Sequence, residues 1–358
     1  MTYPFGNDPA KIEGYRRWWK RAPVNRPLVG FSLKTWFPMH EFAASRAWRE
    51  HQWLTPDMIH PADFVEDQER LLREGEILDD DVLRGACPSQ AVMWLPPTMG
   101  ARLRILDEST LATDMHLTWD EVDRLEQDPD GPWFPKYLEF VQVLVDASAG
   151  RYPVSHGTMS GPSDVAAILR GHDNLINDFF DAPERVRDLC FRTMEAFCAL
   201  RDAQWAITPL WHGGYFDAQY SLWAPGPIIR MQEDATGLYS PKLYRELLQP
   251  VDREWASRYE CAFIHLHSTS NFVLDAILEV DEIAAYEYNR DVSGPPLREM
   301  IPYYAMIQDA EKPLLIRGSF TADELSLLQD YLDSRGLYLY IMVSSLEETE
   351  PLRRMLGM

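Results

Sequence analysis

The sequence predicts an α/β protein, a closed (β/α)8 barrel of the TIM type with a long helical insertion after the first strand. Three observations carry this. From about residue 150 onward, short apolar runs alternate with longer amphipathic segments, the β-α-β-α rhythm of a parallel sheet. The runs 152–156 (YPVSH), 207–212 (ITPLWH), 228–232, 261–266, 282–287, 313–317 (PLLIR) and 337–343 (LYLYIMV), with 27–33 (PLVGFSL) before them, make eight strands. No run is followed by Gly-x-Gly-x-x-Gly, which argues against a dinucleotide-binding open sheet, the alternative architecture.

An amphipathic helix over 8–21 precedes the first strand. The stretch 36–150 then separates the first two strands by over a hundred residues. It reads as a helical insertion with a small β element (102–106, 110–116), placed as a lid where βα loops lie. The whole chain, 1–358, is expected to be a single barrel domain. Many of the 12 Trp fall before residue 135 (Trp18, Trp19, Trp36, Trp48, Trp53, Trp94), so this third is expected to be loop-rich and aromatic-lined. These rings either wall a planar ligand or pack. Asp79-Asp80-Asp81 reads as a solvated loop.

Later helices announce their starts. Gly161-Pro162-Ser163-Asp164 precedes an apolar segment that stops at Gly171. Asp181-Ala182-Pro183-Glu184 opens a long helix over 183–205, with Pro in its first turn. Ser240-Pro241, Thr321-Ala322-Asp323-Glu324 and Ser345-Leu346-Glu347-Glu348 repeat the device.

Composition excludes several classes of function. With 56 acidic and 34 basic residues the net charge is −22, which repels nucleic acid and anionic membrane alike. No apolar run reaches the roughly 18–20 residues of a membrane span. The N-terminal segment lacks the apolar core of a secretory signal. The 4 cysteines (Cys87, Cys190, Cys198, Cys261) fit neither a disulfide framework nor a zinc ribbon. A cytoplasmic protein is expected, with room for a homodimer.

The chemistry-bearing residues gather where strands stop, the end of the sheet at which α/β folds work. The run at 228–231 ends in Gln232, Glu233 and Asp234, and the next ends in His265 and His267. In extended chain the two histidines share one side. They face a ligand or simply bond backbone carbonyls. Asp234 is read as a general base or ligand contact, against a plain helix cap. His156 ends an earlier strand. His212, Tyr215 and Asp217 follow 207–212, with Gly213-Gly214 allowing close backbone approach or forming a tight turn. Glu287 and Asn289 end the sixth strand, and Arg317 the seventh. Arg317 holds a substrate anion or a neighbouring acid such as Glu287. Asp234, His265 and Asp217 are the catalytic candidates. His156, His212, Tyr215, Gln232, Asn289 and Arg317 are the substrate-binding ones.

The segment GPSDVAAILRGHDNLINDFFDAPERVRDLC (161–190), the Q-x-D…S-P-x-x-Y…P stretch at 232–250 and His265-Leu266-His267 together resemble the uroporphyrinogen decarboxylase superfamily over roughly 150–345. The resemblance implies the barrel and two activities. True decarboxylases carry an N-terminal R-Q-A-G-R-Y, which EGYRRWWKR at 13–21 does not match. The other branch, corrinoid-linked methyltransferases, binds zinc through H-x-C and a later Cys. Here His267 stands in the Cys position and the last strand offers no Cys. Zinc held by His265, His267 and a carboxylate, with Glu287 as donor, is one expectation; a site without metal is the other. The function expected is methyl transfer between a corrinoid, free or on a corrinoid protein, and a thiol or tetrahydrofolate. The alternatives are a decarboxylase or lyase acting on a small or tetrapyrrole carboxylate, with Asp234 or His265 as the acid, and a non-catalytic barrel that binds a tetrapyrrole or a corrinoid protein.

Overall fold

A computed structural model describes residues 3–33 and 38–358. Trp36 and the first residues of the expected insertion lie outside them. The strands are β1 (Leu28–Leu33), β2 (Trp53–Leu54), β3 (Leu103–Ile105), β4 (Thr110–Ala112), β5 (Tyr215–Asp217), β6 (Leu222–Ala224), β7 (Ile228–Gln232), β8 (Cys261–Leu266), β9 (Ala285–Asn289), β10 (Leu314–Gly318) and β11 (Leu337–Val343).

Six of these form one all-parallel sheet in the order β1-β11-β10-β9-β8-β7. Two extended segments supply the remaining barrel positions, between β1 and β7. Residues 80–81 are tied to β1 by Asp81 N to Val29 O (3.0 Å) and by Phe31 N to the Asp80 carboxylate (2.7 Å). The chain then runs to Ala86, which makes a parallel bridge with Val154 through Ala86 N to Pro153 O (2.9 Å) and Ser155 N to Ala86 O (2.8 Å). The barrel is therefore an eight-position one, irregular on one side.

The strand expected at 207–212 is not there. Helix Pro183–Ile207 runs through its first residue, and Thr208 N still bonds Gln204 O (3.0 Å). The apolar run is a helix end followed by a turn. The eighth strand position is instead supplied by 81–87, between β1 and the Val154 segment. The stretch 36–150 accordingly returns to the barrel midway. The strand expected at 152–156 survives only as the bridge at Val154, and the one at 282–287 lies at β9. The small β element expected at 102–116 exists as β3 and β4, with β2 as a third antiparallel strand.

The aspartate run is structural rather than solvated. Asp80 is buried and accepts from Phe31 N, Val82 N (3.2 Å) and Arg84 Nη2 (2.6 Å). Asp81 accepts from Val29 N (3.0 Å) and pairs with Arg26. Only Asp79 is exposed. Carboxylates placed on backbone N–H groups here do the work of a missing ladder. Trp48 packs on Phe64, and Trp94 on Trp133, Tyr137 and Phe140, so these rings build the core.

Side chains alternate along each strand. Leu28, Ile228, Phe263, Ala285, Leu315, Tyr338 and Tyr340 point into the barrel. They meet Tyr220, Leu222 and Trp223 of the β5–β6 hairpin and Ile12, Tyr15 and Trp18 of helix Ile12–Trp19. Trp18 Nε1 donates to the carbonyl of Leu314, the first residue of β10 (3.3 Å), so this helix closes the N-terminal end. The opposite end is left to the polar residues. No helix among the described residues is long and apolar enough to cross a membrane.

Candidate metal centre at the barrel mouth

The two-residue alternation that puts Phe263 inside also puts His265 inside, one layer higher. Across the ladder His265 stands beside Gln232 of β7 and Glu287 of β9. His265 Nδ1 bonds the buried Glu287 carboxylate and lies 2.8 Å from Tyr220 OH. His267, one residue past β8, bonds Asp291 through its own Nδ1 (2.5 Å). Ser268 N (3.1 Å) and Ser268 Oγ (2.8 Å) hold that aspartate from the other side. The two Nε2 atoms face each other at 2.9 Å. Asp234 Oδ1 completes the group, 3.9 Å from His265 Nε2 and 3.7 Å from His267 Nε2.

Donor and acceptor counting makes this arrangement informative. A carboxylate only accepts, so each Nδ1 must carry its proton. With both rings neutral, the two Nε2 atoms are then bare acceptors, aimed at one another and at a third acceptor. Something positive is required between them, a shared proton or a metal cation. Asp234, His265 and His267 are the group of ligand atoms among the described residues that lies within reach of one ion. A tetrahedral zinc with bonds near 2.0–2.1 Å separates its ligands by roughly 3.3 Å. Separations of 2.9, 3.7 and 3.9 Å bracket that value, so two imidazoles and one carboxylate fit the ion and leave a position open.

Glu287, expected as the carboxylate ligand, is placed elsewhere. It sits on the Nδ1 side of His265, and the ligand position falls to Asp234. A strand-borne acid beside a strand-borne histidine meets the near edge of the ring, whereas Asp234 reaches the far edge from a turn.

The charges around His267 act in the metal-free chain too. Burial opposes its protonation, but the hydrogen bond to Asp291 and the charges of Asp234, Asp291 and Glu287 prevail and raise it to about 9. Burial would also raise Asp291, but the hydrogen bond and charge of His267 hold it well below the usual carboxylate range. A histidine raised in the folded state stabilises fully below its ordinary 6.5 and loses that contribution as pH rises through about 9. Urea melts of chelator-treated protein should therefore show the advantage of wild type over His267→Gln shrinking between those values.

Beneath the triad lies a second polar layer. His156 Nε2 is 2.9 Å from Asp217 Oδ2, and its Nδ1 donates to Gly157 O (2.7 Å). Arg230 Nη1 lies 3.7 Å from the same Asp217 oxygen. All three side chains are buried. Burial, then the charge of Arg201, pushes His156 down, against the hydrogen bond and charge of Asp217. The charge on Asp217 is answered chiefly by Arg230, which with His156 overcomes burial and holds it to about 2. Asp217 also accepts from Tyr220 N (3.0 Å), and Tyr220 reaches His265, so the two layers are connected.

The other candidates divide. Gln232 donates to Asp234 Oδ2 (2.9 Å), Asn289 donates to Asp291 (2.7 Å), and Arg317 donates to Asn289 (3.0 Å), so all three surround the triad. Burial pushes Arg317 down to about 10 against the charges of Tyr220 and Glu287. His212 and Tyr215 do not join. His212 is exposed in the tight turn Trp211–Gly214, with φ 47° followed by Gly213 at φ 78°. Tyr215 packs on Trp205. That turn lies beside Trp223, which accepts from Trp19 of the N-terminal cap (2.9 Å), so it is at the wrong end of the barrel. Asp291, Tyr220 and Arg230 were missed. Asp291 continues the alternation 287–289–291, the signal by which His267 follows from His265.

Known proteins share the fold. Residues 86–206 match the family model described as uroporphyrinogen decarboxylase (URO-D), about a third of the chain. The match contains Gly161–Cys190, begins well before it, and ends before Gln232 and His265. A methyltransferase from Methanosarcina mazei shares the fold with a TM-score of 0.61 at 13% identity, over 99% of this chain and 98% of that one. No curated protein matches by sequence. Residues 86–206 thus carry the signature of the uroporphyrinogen decarboxylase family, and the likeness to the methyltransferase structure shows that the whole chain takes the same barrel fold.

Proposed function

We propose that this protein is a metal-dependent methyltransferase, moving a methyl group between a corrinoid and a thiol or tetrahydrofolate. The observation that carries the reading is the pair of opposed Nε2 atoms, each fixed as an acceptor by a carboxylate at Nδ1. His265, His267 and Asp234 would hold zinc. When bound, zinc would supply a Lewis acid that lowers the proton affinity of an acceptor atom at the open position.

The chain's own residues do the rest. Glu287 and Asp291 fix the tautomers and ring directions, the usual outer-shell role. Gln232 orients the Asp234 carboxylate. The layer of Arg230, Asp217 and His156 closes the floor and keeps water from approaching from below. Arg317 and Asn289, beside the triad, are placed to contact an anionic or polar part of the substrate. Much of the acceleration would come from holding donor and acceptor in line. The partners on this reading are a small-molecule acceptor and a corrinoid, free or carried on a protein.

The test is spectroscopic. Zinc-loaded protein is mixed with methylcobalamin and either a thiol or tetrahydrofolate, and the corrinoid absorbance is followed. Loss of methylcobalamin with one acceptor supports the reading. Carbon dioxide release from a carboxylated substrate, with no demethylation, would support a lyase instead. Corrinoid binding without turnover would leave a binding barrel.

A further inference from the structure

We infer that Asp164 is a positioning residue for the metal centre, holding Asp234 in place from a different element; this rests on the metal reading above. Asp234 is the ligand candidate least secured by its own strand. His265 is within β8, and His267 is anchored by Asp291. Asp234 lies two residues beyond β7, at the start of the turn Asp234–Leu238, and its side chain is exposed. Its carboxylate takes one hydrogen bond, from Gln232, among the described residues.

What fixes its backbone is the first turn of helix Pro162–Arg170. Asp164 Oδ1 accepts from Ala235 N (2.8 Å) and Oδ2 from Asp234 N (3.3 Å), so one carboxylate spans two consecutive amides. The neighbouring residues grip the same loop. Ser163 N donates to Glu233 Oε2 (3.0 Å), and Ser163 Oγ bonds it as well. At Gly161 an added Cβ would lie 1.7 Å from the carbonyl oxygen of Gln232, so only glycine allows the helix this close. Residues 161, 163 and 164 thus meet residues 232, 233 and 234–235 in step. The Gly-Pro-Ser-Asp segment is more than a helix start. It is the clamp that turns the end of β7 so that Asp234 faces the two histidines.

Only a carboxylate presents two acceptors to two N–H groups. In Asp164→Asn one of the two amides faces an NH2 group instead. We expect zinc affinity, measured by competition with a chromogenic chelator, to fall about ten- to a hundredfold, the range for outer-shell changes. The Asp164→Asn/Asp234→Ala double variant should bind no more weakly than Asp234→Ala alone, because the two act on one ligand. Asp164→Glu keeps two acceptor oxygens, displaced by one methylene, and should bind with intermediate affinity; it also serves if the amide variant does not fold. A residue that merely stabilised the helix would lower the melting temperature and leave affinity unchanged. Wild-type affinity in both single variants, or losses that simply add in the double, would overturn the inference. A wild-type chain that takes up no zinc would overturn the metal reading beneath it, and that is seen before any variant is made.

Discussion

His265→Ala is expected to abolish zinc binding and to lower methyl transfer by about a thousandfold. The ring contributes an Nε2 that stands 2.9 Å from His267 Nε2 and 3.9 Å from Asp234 Oδ1. Losing the metal removes several kcal/mol of charge stabilisation, and about 1.4 kcal/mol is a factor of ten. The substitution also affects the fold, because His265 is buried and is the hydrogen-bond partner of the buried Glu287. That partner loss should cost about 1–3 kcal/mol, within the reserve of a stable domain. The check is zinc affinity, turnover and a urea melt on the same preparation. Folded, fully active His265→Ala protein would sink the catalytic assignment.

Glu287→Gln is expected to weaken zinc binding by about a hundredfold, although Glu287 touches no metal position. The amide matches the carboxylate in volume, so packing is kept. What changes is the proton count. The carboxylate accepts from Nδ1 and leaves Nε2 bare, whereas an amide NH2 donates to Nδ1 and drives the proton to Nε2. A protonated Nε2 cannot bind a cation. Nitrogen chemical shifts of His265 in metal-free protein would show the switch directly. An unchanged tautomer together with unchanged zinc affinity would contradict this role.

Much of the site was legible because strand ends leave a local trace. An apolar run that breaks into Gln232-Glu233-Asp234, and another into His265-Leu266-His267, needs only two-residue alternation to place its side chains together. Which edge of an imidazole meets which acid leaves no such trace. Glu287 and Asp234 are both strand-end acids in the sequence, and only the fold puts one on Nδ1 and the other toward Nε2. The misplaced strand has a similar cause. Residues 207–212 are apolar enough for a strand, but the helix before them continues to Ile207. Residues 81–87 look like a loop, yet hold a barrel position through side-chain carboxylates and a single bridge. His212 was misassigned with that strand, and its Gly-Gly neighbours prove to be a hairpin turn at the other end.

The most direct test is a zinc titration of chelator-stripped protein, with methylcobalamin demethylation followed in the same samples. The account predicts one zinc per chain, activity rising in proportion to occupancy, and X-ray absorption showing two imidazole nitrogens and oxygen donors without sulfur. Full activity in metal-free protein, or a sulfur-ligated zinc, would contradict it.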